Sequence, residues 1–93
     1  MALLLKDPEA TLDYAVDWGA EYLNGEFLLE SLWEVVPIEA GGLTIIASSF
    51  DGDLATVTAS GGVTGHLYQL TNLVVLASGL SDRRSIVLRV EKR

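Results

Sequence analysis

Thr11-Leu12-Asp13-Tyr14-Ala15-Val16-Asp17-Trp18 decides the fold class. Leu12, Tyr14, Val16 and Trp18 fall on one parity, and Asp13, Ala15 and Asp17 on the other. Period-2 alternation describes a half-buried strand whose carboxylates stand in water. A helix is the rival, with Asp7 as its cap, Pro8 at its first position and an apolar stripe from Leu12 to Leu23. Asp13, Asp17 and Glu21 would then repel at i, i+4 spacing, and Gly19 would sit mid-helix. The strand is the reading preferred here, and residues 9–23 are where the two part.

The segments on either side extend the pattern. Asn24-Gly25 is a short-turn signal, and Phe27 to Val36 is an apolar run closed by Pro37, which cannot donate to a ladder. Leu43 to Ser48 is β-branched, and Leu54 to Ala59 alternates Thr with apolar residues. His66 to Leu76 places Tyr68, Leu70, Asn72, Val74 and Leu76 on one face. Ser78 to Asp82 turns the chain. Ser85 to Glu91 places Ile86, Leu88 and Val90 on one face and Val87 and Arg89 on the other. Turns recur about every ten residues, and no crossover helix long enough for a βαβ unit is visible. The expected class is all-β, an antiparallel sandwich or barrel of about six or seven short strands. Residues 1–6 are read as an N-terminal arm or a first strand, and residues 7–93 as one sandwich domain.

The chain has 93 residues, 49% of them hydrophobic and 20% charged, which fits one globular domain rather than a disordered segment. There is no Cys, so neither a disulfide framework nor a thiolate metal site is available. No apolar run reaches the length of a membrane helix or a signal peptide. The net charge of −7 is unevenly spread. Lys6 is the only base among residues 1–54, whereas Arg83, Arg84, Arg89, Lys92 and Arg93 lie beyond. A general nucleic-acid binder needs a basic face, so the imbalance points to contacts with other proteins or with copies of the same chain.

Catalytic constellations are weak. His66 is the only histidine, and nothing in the spacing of Ser48, Ser49, Ser60 or Asp51 pairs one of them with it. Asp13 and Asp17 on one strand face stand about 13 Å apart, beyond the reach of paired carboxylates in glycoside chemistry. Asp51-Gly52-Asp53 lacks the further ligands of a calcium loop and reads as a hairpin turn. Gly61-Gly62-Val63-Thr64-Gly65 lacks the Lys and Ser/Thr of a phosphate loop. Trp18 and Trp33 are expected in the core. No enzyme, cofactor, metal, small-molecule substrate, nucleic acid or membrane is expected.

One further pattern spans the chain. Lys6-Asp7-Pro8, Leu12 to Trp18, Ser31-Leu32-Trp33, Gly42-Leu43-Thr44, Ser60 to Gly65, Tyr68 to Asn72 and Asp82-Arg83-Arg84-Ser85 follow one another in an order that resembles the fiber-tail adaptors of tailed bacteriophages. The resemblance covers Lys6 to Arg93. It implies an immunoglobulin-like β-sandwich in a virion structural protein that joins tail or neck to fibers or another appendage. It further implies several copies, located in the virion after assembly in the bacterial host cytoplasm. Tyr14, Trp18, Trp33, Tyr68, Asn72 and Arg84 fall on signature positions of that family, with Arg84 tying the last turn to a carboxylate. Val36 to Gly42 is longer than the short Pro-Gly connection usual in the family. The partner-binding residues expected on this reading are Leu3, Leu4 and Leu5 in the arm, Asp13 and Asp17 on the acidic strand face, and Arg83, Arg84 and Arg89 near the C-terminal end. The arm is expected to order only against another subunit, by adding to a free sheet edge. A carbohydrate- or cell-surface-binding sandwich is the alternative, and an exposed Trp18 or Trp33 beside Asp13 and Asp17 would favour it.

Overall fold

The computed structural model describes residues 3–20 and 27–92. The turn expected at Asn24-Gly25 and the far end of the rival helix lie outside them, as does Arg93. The described elements are β1 (Leu3–Lys6), β2 (Thr11–Asp17), a 3-10 turn (Trp18–Ala20), β3 (Leu28–Val36), β4 (Leu43–Asp51), β5 (Leu54–Gly61), β6 (Leu67–Leu76) and β7 (Ser81–Val90). They form two sheets, one in the order β1-β7-β6-β3 and the other β2-β5-β4. The all-β sandwich is therefore the architecture. The sheet order is compatible with the immunoglobulin scheme, in which a B-E-D sheet packs on a C-F-G sheet. Trp33, buried on β3, and Tyr68, at the start of β6, are compatible with that scheme's buried tryptophan and corner tyrosine. The Tyr68 hydroxyl accepts from the Val63 backbone N–H at 2.9 Å, which holds the loop before its own strand.

The strand reading of residues 11–17 is correct, and the helix reading is not. The Asp13 and Asp17 side chains point outward, while Val16 and Trp18 reach the core at 4% and 2% exposure. Leu12 departs from its parity group, because it lies near the open end of the sheet and stays exposed. The core fills from the inward faces of both sheets. Ala55, Val57 and Ala59 of β5 lie against Tyr68, Leu70 and Leu76 of β6, with Leu88 and Val90 of β7. Burying a side chain of the Leu or Val type contributes about 1.5–3 kcal/mol, so these strands carry most of the fold's stability.

Two boundaries differ from the sequence expectation. β4 runs on to Asp51, past a register shift between Ile45 and Ala47. A bulge breaks the alternation there, so the second half of the strand carries no period-2 signal. β7 begins at Ser81, so Arg83 and Arg84 lie on a strand opposite Leu73 and Asn72 rather than in the final turn. That turn is shorter, spanning residues 77–80. Pro37 does close β3, and its peptide bond to Val36 is cis.

Candidate functional site

The outer face of the four-stranded sheet carries the most distinctive surface. On β3, Glu30, Leu32 and Glu34 point outward, registered against Val75, Leu73 and Thr71 of β6. On β7, Arg83, Val87 and Arg89 point the same way, registered against Leu73, Gln69 and Leu67. β1 completes the face with Leu3 opposite Val87 and Leu5 opposite Arg89. Leu3 and Leu32, on the two edge strands, and Leu67, at the end of β6, are 59%, 58% and 53% exposed. Gln69, Thr71 and Ser85 form a hydrogen-bonded polar patch at the middle of the face, with carboxylates on β3 and guanidiniums on β7. A shallow groove of about 500 Å³ opens at the β6–β7 hairpin end, between Glu30 and Leu32 on one side and Arg83 on the other.

β1 is a strand of the chain's own sheet. Leu3 to Lys6 pair in parallel with Val87 to Val90. This corrects the expectation that the segment orders only against another subunit. The physical reason is Lys6. Its side chain turns inward, fully buried, and its ammonium donates to the carbonyl oxygens of Gly61 at 2.8 Å and Asp7 at 2.9 Å. A buried ammonium must have such partners. Burial pushes its pKa down, and the nearby Asp7 charge opposes that shift. The Glu91 N–H also donates to the Lys6 carbonyl at 2.9 Å, which closes the end of the β1–β7 pair.

The remaining expected partner residues fall elsewhere. Asp13 and Asp17 lie on the outer face of the three-stranded sheet, on the far side of the sandwich from Arg83 and Arg89. Each serves its own chain. Asp13 accepts from the Thr58 hydroxyl at 2.5 Å, and Asp17 accepts from the Gly19 N–H at 3.0 Å. Leu4 and Arg84 carry the inward parity of β1 and β7, although both are exposed. The structure thus brings together Leu3, Leu5, Arg83 and Arg89, and separates them from Asp13, Asp17, Leu4 and Arg84. Glu30, Leu32, Glu34 and Leu73 were not foreseen. Their parity was readable, but which strand lies beside which is a tertiary fact.

Two further polar clusters lie elsewhere, one buried and one at the surface. Asn72 is fully buried and fully used. Its Oδ1 accepts from Trp18 Nε1 at 2.9 Å, and its Nδ2 donates to the Ser31 hydroxyl at 2.9 Å and the Leu32 carbonyl at 3.1 Å. At the other end, Glu39 accepts from the Tyr68 hydroxyl at 2.6 Å, and His66 Nδ1 lies 3.1 Å from the same carboxylate oxygen. The Tyr68 hydrogen bond, then the His66 one, lowers the Glu39 pKa. Burial, then the Glu39 bond, raises that of Tyr68. This cluster ties the β3–β4 loop to the start of β6. Through these two bonds the cluster acts as a latch.

The sandwich, its buried tryptophans and its corner tyrosine accompany a match to a family model described as Podophage GP4 fiber-tail adaptor protein gp77, over residues 6–89. The chain belongs to this family. The match begins at Lys6, the buried anchor of β1, and ends at Arg89, one residue before β7 ends. It includes all six signature positions named above. The family is one of phage structural adaptors, which is not an enzyme class. Comparison with curated proteins gives no match.

Proposed function

We propose that this protein is a virion structural protein that joins the tail or neck of a podophage to its fibers or another appendage. It acts through protein contacts alone, in several copies, with no catalytic step and no bound nucleic acid. It assembles in the host cytoplasm and resides in the tail or neck of the particle. The observation that carries this reading is the family match across residues 6–89. The structure supports it physically. A short-looped sandwich with a packed core offers a fixed shape, and the exposed leucines and charges of its four-stranded face offer a place for another protein.

The carbohydrate-binding alternative asked for an exposed tryptophan beside Asp13 and Asp17. Trp18 and Trp33 are 2% and 7% exposed, so neither offers a ring to a sugar. Deletion of the coding sequence, followed by cryo-EM of the particles, tests the adaptor reading. Particles with filled heads but no fibers are the expected product. Fully fibered particles lacking the protein would refute it.

A further inference from the structure

The outer face of the four-stranded sheet is complementary to itself. β3 presents Glu30 and Glu34, β7 presents Arg83 and Arg89, and β6 lies between them with Leu73 at the centre. Leu32, Leu73 and Arg83 share one row across the sheet, and that row lies between those of Glu30 and Glu34. Among the described residues, Glu30, Glu34 and Arg83 have no ion-pair partner within the chain. Arg89 pairs only with its neighbour Glu91, at an exposed site where such a pair contributes little.

We propose that this face binds a second copy of the chain, as a two-fold dimer whose axis runs along the strands in the plane of the interface. The inference rests on the adaptor reading only in taking protein contact to be what the surface serves. Rotation about that axis lays β3 of one copy over β7 of the other. Each Arg83 then comes down between the partner's Glu30 and Glu34 rows, close enough for a long guanidinium side chain to meet either one. The two copies of Leu73 meet on the axis, and each Leu32 lies under the aliphatic stem of the partner's Arg83, at the spacing of about 10 Å at which sheets stack.

The rival arrangements are poorer. A two-fold across the strands would set β3 on β3, and so carboxylate on carboxylate. Head-to-tail stacking would set Leu32 and Leu73 against the outer face of the other sheet. That face carries mainly Thr, Ser and Ala with Asp13, Asp17 and Asp51, with Leu54 at its hairpin end, and Asp13 and Asp17 already bond within their own chain. Of these arrangements, the isologous one stacks Leu73 on Leu73 and sets each Arg83 between carboxylate rows. Three overlapping strands (β7, β6 and β3) over four to five rows offer on the order of 400 Å² a side, which is the size of weak, transient contacts. The dimer is therefore of modest affinity.

Sedimentation equilibrium of the full purified chain tests the proposal, with circular dichroism as a folding control. The wild type should dimerise reversibly. Arg83→Glu with Arg89→Glu makes the face wholly acidic, and Glu30→Arg with Glu34→Arg makes it wholly basic. Each double variant alone should dimerise at least about tenfold more weakly. An equimolar mixture of the two should recover association as a heterodimer, which mere misfolding of either variant would prevent. A wild type that stays monomeric to about 1 mM overturns the proposal. So does a mixture that associates no better than its components. Incorporation into particles is scored separately, so a monomeric chain that still enters the virion defeats the dimer and leaves the adaptor reading intact.

Discussion

Single side chains divide sharply into those fully bonded and those left over. Asn72 satisfies Trp18, Ser31 and the Leu32 carbonyl at once. Asn72→Leu removes the acceptor of Trp18 Nε1 in the core and should cost about 2–4 kcal/mol in urea denaturation. Tyr14 is the opposite case, since its hydroxyl is buried without a hydrogen-bond partner among the described residues. Tyr14→Phe removes that polar atom while keeping the ring. It should leave stability unchanged or raise it by up to about 1 kcal/mol, and a clear loss would show that the hydroxyl is bonded. Glu39 governs a pH effect. Its pKa is lowered on folding, so the stability it contributes is present above its ordinary value of 4.5 and is lost as pH falls through the lowered value. Glu39→Gln should therefore flatten the acid limb of the stability curve relative to wild type, read as the difference between thermal melts below pH 4.5.

Each strand is held as firmly as its neighbours allow. β6 has a paired strand on both edges, and its inward side chains from Tyr68 to Leu76 are all buried. β1 is short and has one neighbour, so its anchorage depends on Lys6. Lys6→Met keeps the aliphatic stem but removes the ammonium from the Gly61 and Asp7 carbonyls, the latter keeping the Ala10 N–H, and should cost about 1–3 kcal/mol. Gly62 allows this region to close. Its φ is +112°, and a Cβ there would lie 2.6 Å from Val90 Cγ2 at the end of β7. Gly62→Ala should destabilise by about 2–4 kcal/mol, measured by chemical denaturation. The same reasoning shows which elements the sequence exposes to a reader. β6 and the Ile86–Val90 half of β7 alternate cleanly, because one face of each is packed and the other is wet. Residues 81–84 do not, since β1 reaches only Val87 to Val90 and the strand there is exposed on both parities. Asp82-Arg83-Arg84 therefore looks like a turn. The 3-10 turn at Trp18 preserves the inward parity, so the residue's burial was legible although its conformation was not. Separation of Asp13 and Asp17 from Arg83 and Arg89 was not legible, because sheet membership depends on long-range pairing that alternation does not encode.

For the molecule as a whole, the sharp split between an acidic N-terminal part and a basic C-terminal part does not become two opposed surfaces. Glu30 and Glu34 share a face with Arg83 and Arg89, whereas Asp13 and Asp17 occupy the other side of a body measuring 41 × 20 × 17 Å. That arrangement leaves one outer face mixed in sign, with exposed leucines on its edge strands, and the other acidic with mostly small residues. Chain-wide charge thus says little about contacts until the strands are placed. Lys6 has one more consequence. The chain has two lysines, Lys6 and Lys92, and only Lys92 is exposed. An amine-acylating reagent should therefore modify Lys92 at once and Lys6 only when β1 lifts away from β7. Mass spectrometry of the acylated peptides would time that detachment, with Lys92 as the internal standard. Equal labelling rates at the two positions would mean that the edge strand is open for much of the time.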